Sequence, residues 1–333
     1  MRIGIMSFAH HHAEAYIGNL RAIPDVEVIG FADEVAQRAA TIAAQFSLRR
    51  FEDYRALLRE APDGVVICCE NSYHRELVEM AVSAGVKNIL CEKPLATTLE
   101  DARAILSAAE SANARLMTAF PVRFSPPLNE VRTMIDAGKL GKILGCNATN
   151  QGENPSYIRD WFVDKRLAGG GAIMDHTVHV VDVLRWMFHS EIAELYAEGG
   201  DLFPAPGLKV ETAGVLMISF ANGLFVGLDC SWSRPTFYPT WGNVKIEFVG
   251  ERGLAVVDVF GQRFTTYSHP ERRPLWTPWG SDINQAMIDE FAASIREKRA
   301  PSVTGYDGLK AVEAVMAAYR SVHSHQPVKL PLA

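Results

Sequence analysis

Three glycines, Gly169-Gly170-Gly171, lead into Ala172-Ile173-Met174-Asp175-His176-Thr177-Val178-His179-Val180-Val181-Asp182. Read as a helix, this segment puts Asp175, His179 and Asp182 at i, i+4 and i+7, on one face. An imidazole with a carboxylate one turn away is a proton-transfer device. The imidazole accepts the proton, and the carboxylate orients the ring and stabilises its charged form. The glycines give the helix a flexible start. Far upstream, Cys91-Glu92-Lys93-Pro94 puts a lysine just after an apolar run. At the carboxyl end of a parallel strand, such a lysine can donate to a substrate oxygen and favour its anionic form. The plain alternative is a loop lysine paired with Glu92. Function turns on whether the two segments meet.

The elements around them follow from periodicity. Short apolar runs at Arg2–Met6, Val26–Ala32, Val65–Cys69, Asn88–Cys91 and Leu116–Ala119 read as strands. Helical spacing fills Ala13–Ala22, Glu34–Phe46 and Ser72–Ala84, and the capping box Thr97-x-x-Glu100 starts another helix that runs to about Ser111. Continuous apolar strands separated by helices imply a doubly wound parallel sheet over residues 1–121. Residues 122–333 then form an α+β domain. A helix follows Pro126-Pro127 and a loop follows Gly138. The Gly169–Met187 helix comes next, and strands run from about Glu191 to Ser268 as a large, open, mostly antiparallel sheet. Asn222-Gly223 marks a hairpin within it. Late helices cover Ser281–Lys298 and Gly308–His323. An apolar sheet face without a helix over it points to a second copy of the chain as its cover.

After the first strand comes Ser7-Phe8-Ala9-His10-His11-His12, where a dinucleotide-binding loop would carry G-x-G-x-x-G. None of the three glycines is present, yet the following helix N-terminus remains an anion site. Asp33 ends the second strand, where a carboxylate binds ribose hydroxyls and repels a 2′-phosphate, favouring NAD over NADP. It can equally cap the next helix. Consecutive side chains diverge, so the three histidines are not expected to hold a metal.

The chain has 333 residues, 48% hydrophobic and 22% charged, with net charge −6 and scattered Lys and Arg. Such a surface excludes nucleic acid as a partner. The longest apolar stretch, Ala213 to Leu228, is interrupted by Ser219 and Asn222 and falls short of the ~20 residues of a membrane span. Five cysteines without metal spacing read as reduced thiols of a cytoplasmic protein, and Met1-Arg2-Ile3-Gly4-Ile5 leads straight into a strand.

Glu92-Lys93-Pro94 together with Gly169-Gly170-Gly171 and Asp175-x-x-x-His179-x-x-Asp182 resembles the Gfo/Idh/MocA family of glucose–fructose oxidoreductase, inositol dehydrogenase and related sugar dehydrogenases. Asn71-x-x-His74, Arg123 in Phe120-Pro121-Val122-Arg123-Phe124, and Gly138-Lys139-Leu140-Gly141-Lys142 fit the same pattern. The resemblance implies an N-terminal Rossmann domain, a C-terminal open sheet, and dimers or tetramers built through that sheet. It implies that NAD lies against Ser7, Phe8, Ala9, His10, His11, Asp33, Asn71, His74, Glu92, Lys93 and Arg123. Lys93 then faces both nicotinamide and substrate hydroxyl, His179 accepts the proton, and Asp175 bonds near the substrate. The chain departs from the family in lacking the loop glycines. It also has His176 and Thr177 where an apolar residue and a glycine are usual, close to the expected substrate.

The expected reaction is oxidation of a secondary alcohol on a sugar, polyol or sugar derivative by NAD, with Lys93, Asp175 and His179 as catalytic residues. Aromatic faces and forked donors suit hydroxylated ligands, which makes Arg123, Tyr157, Trp161 and Trp232 candidates for the sugar pocket, with His176 beside them. Ordinary core or interface packing is the alternative for those four. Two other classes fit the same residues. One is a redox-neutral enzyme that retains NAD, with His176 as an extra acid or base. The other is a ligand sensor without turnover.

Overall fold

The structure is a computed structural model and describes residues 1–203, 208–270 and 272–333. Its first half runs β1 (Arg2–Met6), α1 (His12–Arg21), β2 (Glu27–Ala32), α2 (Ala36–Phe46), α3 (Tyr54–Leu58), β3 (Gly64–Ile67), α4 (His74–Ser83), β4 (Asn88–Cys91), α5 (Leu99–Ser111) and β5 (Arg115–Thr118). The strands are apolar throughout because both faces of their sheet are covered. Ile5, Val66, Ile67, Ile89 and Leu90 are all essentially inaccessible. All pairings are parallel, in the order β2-β1-β3-β4-β5. The order reverses between β1 and β3, so a crevice opens beyond the carboxyl ends of those two strands. The segments Ser7–His12 and Cys68–Asn71 meet there, and the His10 amide donates to the Cys68 carbonyl at 2.9 Å.

The second half adds α6 (Pro126–Asp136), β6 (Ile143–Glu153), α7 (Lys165–Ala168), α8 (Ala172–Phe188), β7 (Ile192–Gly200), β8 (Ala213–Phe220), β9 (Phe225–Arg234), β10 (Gly242–Gly250), β11 (Gly253–Asp258), β12 (Arg263–Ser268), β13 (Arg273–Pro278), α9 (Ile283–Arg296), α10 (Gly305–Ser324) and β14 (Val328–Lys329). Seven strands form one sheet in the order β11-β10-β6-β9-β8-β7-β14. Only the β6–β9 pairing is parallel. The Asn222-Gly223 turn connects β8 to β9, with Gly223 at φ 87°.

One expectation fails at β6, the strand shared by β10 and β9 in a region read as a loop. Its buried face carries Ile143, Cys146, Ala148 and Asn150, residues too small and too polar to give an apolar alternation. β12 and β13 stand apart as a separate hairpin. The late helices also cross the expected boundary near residue 121, since α9 packs on α1 and α10 on α5.

One face of the large sheet packs on α8, whose buried positions run almost unbroken from Ala172 to Met187. The opposite face leaves Val215, Met217, Phe225, Leu254 and Val256 exposed, as the period of two along each strand requires. Among the described residues, no helix is long and apolar enough to cross a membrane.

Candidate active site

Lys93 and α8 do meet. Lys93 follows β4 and is buried, with Nζ 2.6 Å from Asp175 Oδ1. The turn beneath it is braced by His74, whose Nδ1 lies 2.9 Å from the Pro94 carbonyl. His74 itself is buried and does not line the cavity. Burial alone would raise the Asp175 carboxyl, but Lys93 and His176 together hold it well below its ordinary range. Asp175 therefore stays ionised and fixes the ammonium of Lys93. This differs from the sequence expectation, in which Asp175 oriented His179. Its second oxygen lies 3.3 Å from His176 Nε2.

His179 stands one turn further along α8, on the same cavity wall as Lys93 and Asp175. Its Nδ1 is buried and has no hydrogen-bond partner among the described residues. Burial, reinforced by the nearby Lys93 charge, lowers its pKa well below the ordinary value of 6.5. The ring is thus a neutral base beside a fixed cation. Asp182, one turn deeper, turns away from the cavity and takes both edges of Arg123, with its Oδ2 2.6 Å from Arg123 Nε. Asp307 adds a second carboxylate 2.9 Å from the same guanidinium. Arg123, expected at cofactor and sugar, is instead a buried tie between α8 and the start of α10.

The glycines ahead of α8 are tightly packed rather than flexible. Gly169 adopts φ 86° after α7. A Cβ on Gly171 would lie 1.9 Å from the Glu211 carbonyl, and one on Gly170 would lie 1.7 Å from the Tyr319 hydroxyl. The Glu211 carboxylate accepts from the amides of Gly171 and Ile173 at 2.9 and 3.1 Å, so it caps the helix that carries the base. Nothing local marks Glu211 for that role, since it lies forty residues away.

Thr177, expected near substrate, points the other way, its hydroxyl 3.3 Å from Cys230 Sγ beneath the sheet. Trp232 is buried with Ala172 and Val210 and is absent from the cavity wall. His176 and Tyr157 do line the cavity. His176 Nδ1 lies 2.8 Å from the Asn150 carbonyl, and the Tyr157 hydroxyl donates to Glu153 at 2.6 Å. Asn150, Phe162, Trp241, Phe260 and Asn284 also line the cavity and were not singled out in the sequence. Asn150 gave no signal in the sequence, because the strand that turns it inward was read as a loop.

The Ser7–His12 turn borders this cavity of about 410 Å³ on one side. A second cavity of about 360 Å³ is lined by Glu34, Arg38, Glu70 and Tyr73, and its Arg38 reaches the Asp33 carboxylate that the turn bonds. Ser7 adopts φ 73° and so performs the sharp turn of the missing first glycine. Phe8 is a core side chain packed edge-on to Phe31. The Phe8 amide donates to Asp33 at 2.7 Å and the Ala9 amide to Ser7 Oγ at 3.1 Å. Asp33 is therefore neither an open ribose acceptor nor a helix cap. Its carboxylate is enclosed by Phe8, Ser7, Val35 and Arg38, and Val35 takes the cap position. The carboxylate residues lining the second cavity are Glu34, Glu70 and Glu76.

The three histidines converge instead of diverging, with one nitrogen from each lying within 4.8 Å of the others. Burial lowers the pKa of His10 strongly, and burial and His12 take His11 down to about 3. The His12 amide donates to His10 Nδ1 at 3.3 Å, which leaves the ring proton on Nε2. That N–H is buried and has no hydrogen-bond partner among the described residues. Glu92 Oε2 lies 3.9 Å from it, beyond hydrogen-bond distance, and the N-terminus of α1 beside it is an anion site. A metal would need a lone pair there. Glu92 lies beneath, accepting from Tyr16 at 2.5 Å and sharing a 3.1 Å contact with His12. Burial opposes its charge, but His10, His12 and those hydrogen bonds hold it well below the carboxylate range. Above the loop, Trp161 donates to the Ala9 carbonyl at 3.0 Å and Asn71 to the Ala168 carbonyl at 3.0 Å. Trp161 thus covers the loop rather than a sugar. A catalytic cavity bordered by an anion-seeking turn, with a second cavity linked to that turn through Asp33 and Arg38, suits a dinucleotide, and the residues present fit one.

The depressed histidines set the acid stability. His10, His11 and His179 resist protonation when folded but take up protons near pH 6.5 when unfolded, so stability falls as pH drops below that value. Each should cost roughly 1–2 kcal/mol by about pH 5. Below about pH 4.5 the lost charges of Glu92 and Asp175 add to the fall. Thermal unfolding of the free protein should show a midpoint that declines steadily over this range. A midpoint flat between neutrality and about pH 5 would contradict it.

Comparison with known proteins matches both halves. The model described as an oxidoreductase family with an NAD-binding Rossmann fold matches residues 2–120, and the GFO/IDH/MocA C-terminal domain matches residues 128–256. The 1,5-anhydro-D-fructose reductase of Ensifer adhaerens is 33% identical, over 99% of this chain and 98% of its own. The myo-inositol 2-dehydrogenase of Thermotoga maritima is 25% identical, over 99% and 98%. Among solved structures, GenD2 from gentamicin A biosynthesis in complex with NAD superposes with a TM-score of 0.90 at 23% identity, over 100% of this chain and 97% of that one.

Proposed function

The chain belongs to the GFO/IDH/MocA family of oxidoreductases with an NAD-binding Rossmann domain, and from that premise we propose that Lys93, Asp175 and His179 carry out its oxidation of a secondary alcohol on a sugar or polyol. The observation that carries this assignment is the Lys93–Asp175 pair, set beside the neutral His179 on one cavity wall. NAD supplies the hydride acceptor when bound.

Lys93 donates to the substrate hydroxyl and stabilises the alkoxide as its charge develops. Asp175 holds the ammonium in place. His179 takes the hydroxyl proton as a neutral ring on the cavity wall. The reverse reduction uses the same groups in the opposite order. His10 and the N-terminus of α1 would hold the diphosphate, and the cavity beside Tyr73 and Arg38 the adenosine. Glu34 and Glu70 would disfavour a 2′-phosphate, which keeps the preference for NAD although Asp33 does not supply it.

The test is a titration with NADH and NADPH, followed by a screen of sugars and polyols with NAD⁺. Tighter NADH binding and formation of NADH with one or more polyols support the reading. Binding without turnover of any of them would sink it. We also place the division into cofactor and substrate regions near residue 121, with α9 and α10 returning to the first. The exposed face of the large sheet is proposed to pair with a second copy of the chain, giving a dimer or tetramer. Light scattering should return a whole multiple of the chain mass, and a monomer at micromolar concentration would contradict it.

A further inference from the structure

The active-site cavity continues beyond the catalytic residues. A neighbouring cavity of about 420 Å³ shares Trp241, Phe260, Ile283 and Asn284 with it and extends to Trp279 and Gln262. The two adjoin at those four residues. Resting on the dehydrogenase reading above, we propose that this second cavity is a subsite for a second sugar ring, so that the preferred substrate is a neutral glycoside of two or more rings.

Three observations carry this. First, the inner cavity must receive the nicotinamide as well as the reacting ring, since Lys93 and His179 both face it. A second ring would reach the neighbouring cavity along the residues the two share. Second, the outer cavity presents partly exposed aromatic faces, of which Trp241 also packs edge-on to His176. Trp279 is 61% exposed, Phe260 38% and Trp241 36%. Such rings stack against the C–H faces of a pyranose, while the amides of Gln262 and Asn284 are placed to meet its hydroxyls. Third, the charges there are already committed. Arg263 reaches Asp258 at 3.5 Å and covers the Trp276 ring at 3.7 Å, and Asp282 caps α9 through the Asn284 and Gln285 amides. Among the described residues lining it, no uncommitted cation remains to meet the diphosphate of a nucleotide sugar.

The test compares matched pairs, each a disaccharide and the methyl glycoside of its reacting ring, in gluco and galacto configurations, with UDP-glucose alongside. Disaccharides should be preferred in kcat/KM by about tenfold, chiefly through KM, and Trp279→Ala should reduce that ratio by about fivefold or more. Equal or better use of the methyl glycosides, or a ratio unmoved by Trp279→Ala, would overturn the subsite. A preference for UDP-glucose would overturn the neutral-glycoside assignment. Saturation-transfer NMR on the NADH complex separates this from the parent reading, because it needs no turnover. Saturation of second-ring protons that disappears in Trp279→Ala supports the subsite even if no sugar is oxidised. Saturation confined to one ring overturns it while leaving the dehydrogenase reading in place.

Discussion

Replacing Lys93 with methionine should lower kcat/KM by about 10²–10³ or more, because the developing alkoxide loses the one Lys or Arg among the described residues of the cavity wall. The ammonium is buried and already aimed, with Asp175 as its counter-charge. No rearrangement is needed when substrate arrives, which is where the electrostatic advantage lies. The same substitution leaves Asp175 as a buried carboxylate without its main partner. Breaking such a pair costs about 3–5 kcal/mol. The variant should therefore be both inactive and less stable, and Asp175 should then titrate closer to the ordinary range. Lys93→Arg is not expected to restore activity, since a planar fork cannot replace a compact charge in a space shaped for one. Turnover within tenfold of the unaltered protein would remove Lys93 from the mechanism.

His179→Asn should lower kcat by about 10²–10⁴, the range of a positioned general base. Its signature lies in the pH profile. Only the neutral imidazole accepts a proton, so oxidation falls as pH drops through the folded pKa of His179. Burial and Lys93 hold that pKa well below 6.5, so the unaltered protein should stay active well below neutrality. In His179→Asn the acidic limb should disappear from what activity remains. Persistence of the same limb would assign the base elsewhere, with His176 next in line, since it also lines the cavity and touches Asp175.

The parts of the molecule that were legible in the sequence are those governed by local periodicity. The five apolar runs became the parallel sheet in place, and the Asn222-Gly223 turn joined the strands it was expected to join. The i, i+4 spacing put Asp175 and His179 on one face, because a helix allows nothing else. What could not be read depends on partners distant in the chain. Arg123 looks like an exposed forked donor until Asp182 and Asp307 close around it. The glycines before α8 look like hinges until Glu211 and Tyr319 pack against them. Asp33 sits where a ribose acceptor would sit, yet the loop lacks glycine and turns the Phe8 amide and the Ser7 hydroxyl onto that carboxylate. Convergence of His10, His11 and His12 likewise depends on where the first turn of α1 begins, which residue type alone does not determine. β6 was missed for a different reason, because its inward face is too small and polar to register as apolar.

The measurement that tests the central claim most directly is transfer of deuterium. The protein is given NAD⁺ with sugars, polyols and glycosides deuterated at carbons that bear secondary hydroxyls, and the mass of the NADH is read. The account expects one deuterium from one carbon, transferred by the unaltered protein and lost with Lys93→Met or His179→Asn. NADH that binds normally but never acquires the label from any of them would contradict hydride transfer at this site.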